Sequence, residues 1–480
     1  MAEVSSALPF GGGVFGLSRC SLGYFLGFVV GACECLYYIL YTSALTLTLG
    51  DLVAPTIGDE FVPLVLLGTI TAAVLFHVFQ NRWLWHLTAG VVVLGLGLLA
   101  LYCAGVWRAL HDATSSSKAA SSDSGWTLLQ LLPLYTHSFI GIDALASFAD
   151  YVQRPVHILP VGQARASYSV LLVSALVFAT SAIVPPATTA GGLTRGFREV
   201  LGISDSSAAL VSLLLIVPAI GAFVLTSSNT LTGLAKSSLV DRHLARPLLR
   251  YNCYPRTLLL CGVLSFGAAG LARAVPLLGR NLYNVSFLFA MPTYMAHAYG
   301  YVFLRAKFPG LKRQFVSPLG RQAGVYAICV FGLCWISLLV CQDDSLFLSL
   351  VAVATAMLLT VYYHCHAKRH QSLSEDERKI FFFAHVRQRN EAANHHRRRR
   401  PSSELWQNVR SRRVRELIQL HGAQPKSPGH LRQMWLSSNE SMSRELQPKT
   451  RVVPHDTAQA TTTRPAAAVE HLELQDVTDH

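Results

Sequence analysis

Charge is the scarcest commodity in this chain. Asp, Glu, Lys and Arg together make up 14% of its 480 residues, while hydrophobic residues make up 51% and the mean hydropathy is +0.37. Soluble globular domains carry about 25% charged residues, so that class is excluded. Paired cysteines are missing too. The 10 cysteines are scattered, mostly inside apolar segments, and none forms a CxxC pair, which argues against a zinc ribbon or a disulfide framework and leaves them as small apolar residues. Cys33 and Cys35 flank Glu34, but successive helical residues point in different directions, so no metal site is expected there. The opening residues carry no basic n-region, and no cleavable signal peptide is expected. No nucleophile–base pair gathers at one interface. Neither an enzyme nor a cofactor or metal is expected.

What the chain does have is long apolar runs. About 20 apolar residues span a bilayer as a helix. Candidate spans lie near 23–49, 61–80, 84–107, 126–152, 167–187, 207–228, 257–275, 282–305, 322–342 and 344–368. This predicts an all-α polytopic membrane domain over residues 23–368, preceded by a short segment, 1–22, and followed by a basic tail, 369–480. Basic residues mark the cytoplasmic loops of membrane proteins. Here they gather at Arg82, Arg154, Arg165, the stretch Lys236 to Arg256 and the stretch Arg305 to Arg321, and are sparser in the alternate loops. Both termini are therefore expected in the cytoplasm, with the plasma membrane as the location rather than an organelle membrane.

The fourth run contains the costliest residue. Leu134-Tyr-Thr-His-Ser-Phe-Ile-Gly-Ile-Asp143 puts a carboxylate at membrane depth, which is expensive unless it faces protein or water. Gly141 loosens a helix and Asp143 suits a helix start, so the stretch reads as a break and restart. Broken helices of this kind hold substrates in membrane transporters. The simpler reading is that Gly141 packs against a neighbouring helix and Asp143 caps the restart. Glu34, in the first span, has the same standing: either helix glue or a substrate or proton contact. Thr226-Ser227-Ser228-Asn229 could coordinate an ion or substrate, or bond to its own helix. The histidines His77, His86, His364 and His366 read as interfacial residues.

The tail is a different material. Arg397, Arg398, Arg399 and Arg400 favour anionic lipid by about 1 kcal/mol per basic residue near the surface, and Arg399-Arg-Pro-Ser402 fits a basophilic kinase substrate whose phosphate would weaken that attraction. The stretch after Val452 is Thr/Ala-rich and expected to be disordered. The basic run is too short and too firmly tethered to suggest nucleic-acid binding.

Phe139-Ile-Gly-Ile-Asp143, followed by Asp150, Arg154-Pro155 and Ile158-Leu-Pro160, resembles the sixth-helix signature of the amino acid-polyamine-organocation (APC) transporters. Span 282–305 with Leu304-Arg-x-Lys-x-Pro-x-Leu-x-Arg313 and Ser317-Pro-Leu-Gly320 is similar to the ethanolamine-permease branch. The resemblance covers roughly residues 10 to 385. It implies a five-plus-five inverted repeat of the LeuT/APC type, in which the ten spans correspond to family helices three through twelve, with the first helix and most of the second missing from this chain. It further implies that Phe139, Ile140, Gly141 and Ile142 contact the substrate through their backbone and that Asp143 gates or couples protonation. Phe-Ile-Gly followed by a branched residue and an acid is similar to the arginine/agmatine antiporter branch of that family, and His137 stands where that branch has an aromatic residue. The implied activity is secondary transport of amino acids or small organic amines, such as ethanolamine or polyamines, by alternating access, with H+ or Na+ as coupling ion. The rival reading is a non-transporting membrane protein, sensor-like or a truncated relic, whose basic tail binds lipid or a partner.

Overall fold

The computed structural model describes residues 1–79, 82–112, 125–183, 200–248, 253–375, 377 and 378, together with Phe197. The chain divides into two units, Met1–Ala392 and Ala393–His480, and every described residue belongs to the first. Arg397 to Arg400 and Ser402 lie outside the described residues.

The described residues are helical, with one isolated antiparallel bridge between Leu248 and Cys253. In chain order the helices are α1 (Ala2–Ala7), α2 (Phe15–Leu22), α3 (Tyr24–Ile57), α4 (Val62–Val78), α5 (Arg82–Asp112), α6 (Gly125–His137), α7 (Pro155–Ile183), α8 (Asp205–Lys236), α9 (Pro255–Ala274), α10 (Pro276–Lys307), α11 (Gly320–Val340) and α12 (Ser345–Tyr362). A 3-10 helix, Ala144–Tyr151, stands between α6 and α7, and a π-turn, Tyr363–Ala367, follows α12.

Seven described helical stretches are long and apolar enough to cross a membrane, lying in α3, α4, α5, α8, α9, α11 and the run from α12 to His370. Their outward faces agree: Leu64, Val93, Leu346 and Leu358 are 66, 69, 75 and 68% exposed. Leaving each such side chain in water costs about 1.5–3 kcal/mol, a penalty that lipid removes. The protein is an all-α membrane protein. The remaining three expected spans take other forms. Span 126–152 is broken between α6 and the 3-10 helix. Span 167–187 begins earlier, at Pro155, because proline suits the first helical position. Span 282–305 lies within α10, whose 32 residues include Arg280, Arg305 and Lys307 near their ends.

α3 is the spine. Its 34 residues extend about 51 Å at 1.5 Å per residue, well beyond a hydrocarbon core of about 30 Å. It packs against α2, α8, α9 and α10. Gly27 and Gly31 let α2 approach closely: a Cβ on Gly31 would stand 2.7 Å from the Phe15 side chain, and one on Gly27 2.6 Å from the Arg19 backbone. Small residues four apart are the usual device for close helix packing in membranes. The central core joins Tyr37, Tyr38 and Tyr41 of α3 to Phe287, Met291 and Tyr294 of α10 and Leu338 of α11.

Ion pairs mark the two ends. At one, Arg273 meets Asp59 at 3.0 Å and Arg280 meets Asp344 at 3.1 Å. At the other, Glu3 of α1 receives Arg305 Nε at 2.8 Å, Arg305 Nη2 at 3.0 Å, Arg313 Nε at 3.1 Å and the Ser317 backbone N–H at 2.8 Å. Burial pushes the Glu3 carboxyl up, but the bonds from Arg305 and Ser317 and the charges of Arg305 and Arg313 outweigh it and hold Glu3 below its ordinary value.

Candidate functional site

α6 ends at His137, and the next six residues run as successive turns closed by short-range bonds such as Phe139 N–H to Thr136 O, Ile140 N–H to His137 O and Ala144 N–H to Gly141 O. Gly141 has φ of +89°, the left-handed region that side chains disfavour. A Cβ there would also stand 2.8 Å from the Phe223 ring. Conformation and space thus both require glycine. The chain restarts as a 3-10 helix with Asp143 at its N-cap, but the Asp143 side chain makes no capping bond.

The carboxylate turns into the bundle instead. Asp143 is 1% exposed. Its Oδ1 accepts from Tyr37 Oη of α3 at 3.0 Å and from Tyr294 Oη of α10 at 3.2 Å. The two tyrosine hydroxyls are 3.1 Å apart. Tyr294 Oη also accepts the Gly141 backbone N–H at 3.2 Å. The Tyr38 hydroxyl also reaches the Asp143 carboxyl, and Asp143 Oδ2 has no well-aligned hydrogen bond among the described residues. Unmade bonds at buried carboxylates are costly, and the donors that meet this one are side-chain hydroxyls, which can turn to another partner.

Aromatic rings enclose the group. Tyr37 and Tyr38 lie 4.0 Å apart by centroid, Tyr41 and Phe223 4.8 Å, and Tyr294 and Phe331 5.1 Å. His137 Nε2 is 3.2 Å from Tyr41 Oη, and its ring abuts Tyr283 and Phe287. It therefore belongs to this aromatic wall, one layer from the acid. Tyr37 and Tyr294 are partners that sequence reasoning did not single out as site residues. The available signals were weak: Tyr37 lies one helical turn from Glu34, and Tyr294 follows the helix-interior Pro292 by two positions.

Glu34 is equally deep, 1% exposed, yet it faces a different partner. Its Oε2 accepts the Val14 backbone N–H at 2.9 Å, and a Cβ on Gly13 (φ +79°) would stand 2.4 Å from its Oε1. The acid thus fastens the glycine-rich turn between α1 and α2 to the spine and does not join the Asp143 hydrogen-bond group.

Thr226 to Asn229 are likewise committed. Thr226 and Ser227 bond to Ala222 O and Val224 O of their own helix. Ser228 meets Thr257 of α9 at 2.8 Å. Asn229 donates to Ser147 O and accepts from Tyr151 Oη at 3.0 Å, tying α8 to the 3-10 helix. Near the end of that 3-10 helix Asp150 Oδ2 pairs with Lys236 Nζ at 2.9 Å, with Gly11 pressed against Asp150. Separately, a cleft of about 640 Å³ opens between α4, α5 and α8, lined by residues such as Val65, Phe76, Val217 and Leu225. His77 at its edge is bonded to Gly221 O. Such walls suit apolar matter and offer little to orient a charged molecule. Among the described residues no cluster could hold a metal ion.

No protein-family model matches the sequence, and no curated protein is similar enough to match it. The chemistry around Asp143 therefore carries the functional reading.

Proposed function

We propose that the protein is a secondary active transporter of small organic amines or amino acids, working by alternating access in the plasma membrane with both termini in the cytoplasm. One observation carries the reading: a buried carboxylate at a helix break, held by tyrosine hydroxyls of two other helices inside an aromatic wall, with no cation paired to it among the described residues. An ammonium group placed there gains a charge-assisted bond to Asp143 and the faces of Tyr37, Tyr38 and Phe223, each such cation–π contact being worth about 2 kcal/mol or more when desolvated. No Lys or Arg bonds to this group among the described residues, which favours amines such as ethanolamine or polyamines ahead of amino acids.

Proton arithmetic supports a coupled cycle. Three oxygens, Asp143 Oδ1, Tyr37 Oη and Tyr294 Oη, make three contacts with one another. Two hydroxyl protons fill only two of them, and the third fills when Asp143 is protonated. A cationic substrate and a proton are then alternative ways of neutralising the same acid, so H+ is the coupling ion we favour over Na+. The Lys236–Asp150 pair would close the basic end. The resemblance of residues 139–160 to APC transporters, and with it the five-plus-five repeat, belongs to this proposal.

The test is uptake of labelled ethanolamine, putrescine and amino acids by vesicles containing the purified chain, under imposed proton and sodium gradients. Accumulation that is lost in Asp143→Asn is the expected result. An intact, correctly inserted chain that accumulates none of these compounds overturns the reading.

A further inference from the structure

The chain leaves the membrane domain after the π-turn and comes back to it. Arg19 of α2 and Glu377 pair at 2.7 Å with side chains 1% and 0% exposed, although 358 residues separate them. Glu377 Oε2 also accepts the Ser237 hydroxyl at 2.5 Å and the Ser374 backbone N–H at 2.9 Å. In return Ser374 Oγ accepts the Glu377 N–H at 3.3 Å, so Ser374 and Glu377 form a reciprocal capping box. Two residues earlier, Ser372 N–H donates to Ser237 O at 2.9 Å, Arg19 Nη1 donates to Ser372 O at 3.2 Å, and the Ser372 hydroxyl meets Ser238 Oγ at 3.0 Å and Arg242 Nη2 at 2.9 Å. Residues 371–375, 377 and 378 form a strap that fastens the root of the tail to α2 and to the turn after α8.

The serine that caps the strap also begins the run Ser374-Glu-Asp-Glu377. Carboxylates at the three positions after a serine are the pattern that acidophilic protein kinases accept. We propose that Ser374 is a phosphorylation site and that its phosphate unseats the strap. The transfer balances with ATP as donor: the bond between the γ-phosphorus and the β–γ bridging oxygen breaks, a P–O bond forms at Ser374 Oγ, the hydroxyl proton passes to the kinase's base, and ADP leaves.

The consequence follows from the seat. A phosphate adds about two negative charges beside Glu377, whose carboxylate has one cationic partner among the described residues, Arg19. Arg19 cannot simply change partners, since it is buried with Glu377 while Ser374 lies at the rim, and a doubly charged group would have to shed its water to reach it. Repulsion then pulls Glu377 away from the Ser374 amide, and the bonds from Ser237 and Arg19 go with it. The assignment does not depend on what the protein transports, only on the tail facing a compartment that holds kinases and ATP.

Hydrogen exchange read by mass spectrometry tests this on the full chain in lipid nanodiscs, before and after treatment with an acidophilic kinase and Mg-ATP. The expected result is phosphate on Ser374 and exchange at least tenfold faster in peptides covering 371–378 and 237–242, with peptides covering 285–297 unchanged. Ser374→Ala should receive no phosphate there and keep slow exchange, and Glu377→Gln should show fast exchange without any kinase. A kinase that modifies other tail serines but leaves Ser374 bare overturns the proposal. So does a chain fully phosphorylated at Ser374 whose strap exchanges as slowly as before.

Discussion

Two acids lie buried in the helical bundle, and they differ in the kind of partner they hold. Glu34 is fixed to a backbone N–H at 2.9 Å and presses on the glycine-rich turn before α2. Asp143 is met by the side-chain hydroxyls of Tyr37 and Tyr294 on one oxygen, with Tyr38 within reach of the carboxyl. Both are 1% exposed, so burial alone does not distinguish a structural carboxylate from a functional one. What distinguishes them is whether the partner can be exchanged. A backbone amide belongs to the fold and stays, whereas a tyrosine hydroxyl can turn its proton elsewhere.

The sharpest way to break this contrast is Asp143→Asn. It keeps the size of the side chain and removes the charge, and we expect accumulation of labelled amine to fall at least a hundredfold while the melting temperature in detergent moves by only a few degrees. Unchanged uptake kinetics would remove Asp143 from the mechanism. Next in size is Gly141→Ala, which meets both a left-handed φ and the Phe223 ring. Strain of about 1–3 kcal/mol should lower the melting temperature and uptake together, and Phe223→Leu in the same chain should recover only part, because it relieves the clash and leaves φ unfavourable. A full recovery would show that space alone demanded glycine.

Glu34 should behave oppositely to Asp143. Glu34→Gln retains a carbonyl oxygen that can accept the Val14 N–H, so uptake should stay within a few-fold of the parent. Glu34→Ala orphans that amide at a cost of about 1–3 kcal/mol, visible as a lower melting temperature. A hundredfold uptake loss in the Gln variant would erase the distinction drawn here. The smallest effect concerns a third acid, at the basic end. Glu3 is held below its ordinary 4.5 by Arg305, Ser317 and Arg313 despite its burial. A depressed carboxyl contributes stability above its unfolded value and loses it as pH falls through its folded value. The difference in melting temperature between the parent and Glu3→Gln should therefore be full at pH 7 and shrink below pH 4.5, and a gap independent of pH would count against an ionic latch.

Much of this arrangement was legible in the residues themselves. Apolar runs located the membrane helices, because their periodicity hardly matters when both protein and lipid are apolar. Gly141 and Asp143 announced the break, since each is expensive in a buried helix without a purpose. The ends of helices were harder to read: α3 continues to Ile57, past Asp51 and Pro55, although hydropathy falls there and proline removes a backbone donor, and it ends only at Gly58. Contacts across the sequence were not legible at all. Tyr37 and Tyr294 lie 106 and 151 residues from Asp143, and their local signals, Glu34 one turn away and Pro292 two positions before, do not point to it. Glu34 looked equivalent to Asp143 for the same reason, as its partner is a backbone group with no side-chain signature. The hydroxyls of Thr226 and Ser227 looked available, yet helix carbonyls one turn back already take them.

The hydroxyl of Tyr294 has one proton and two lone pairs, and this has a mechanical result. One lone pair is taken by the Gly141 amide, whichever way the proton points. The turn at 138–143 and α10 are thus pinned together in every protonation state, while the link to α3 through Tyr37 depends on where the proton sits. In the proposed transport cycle the hydrogen bonds through Tyr37 would loosen first, within a seam that also packs Tyr37, Tyr38 and Tyr41 against Phe287 and Met291. Spin labels reporting on 141 and 294 should keep a constant separation when amine is added, and those reporting on 37 and 294 should not.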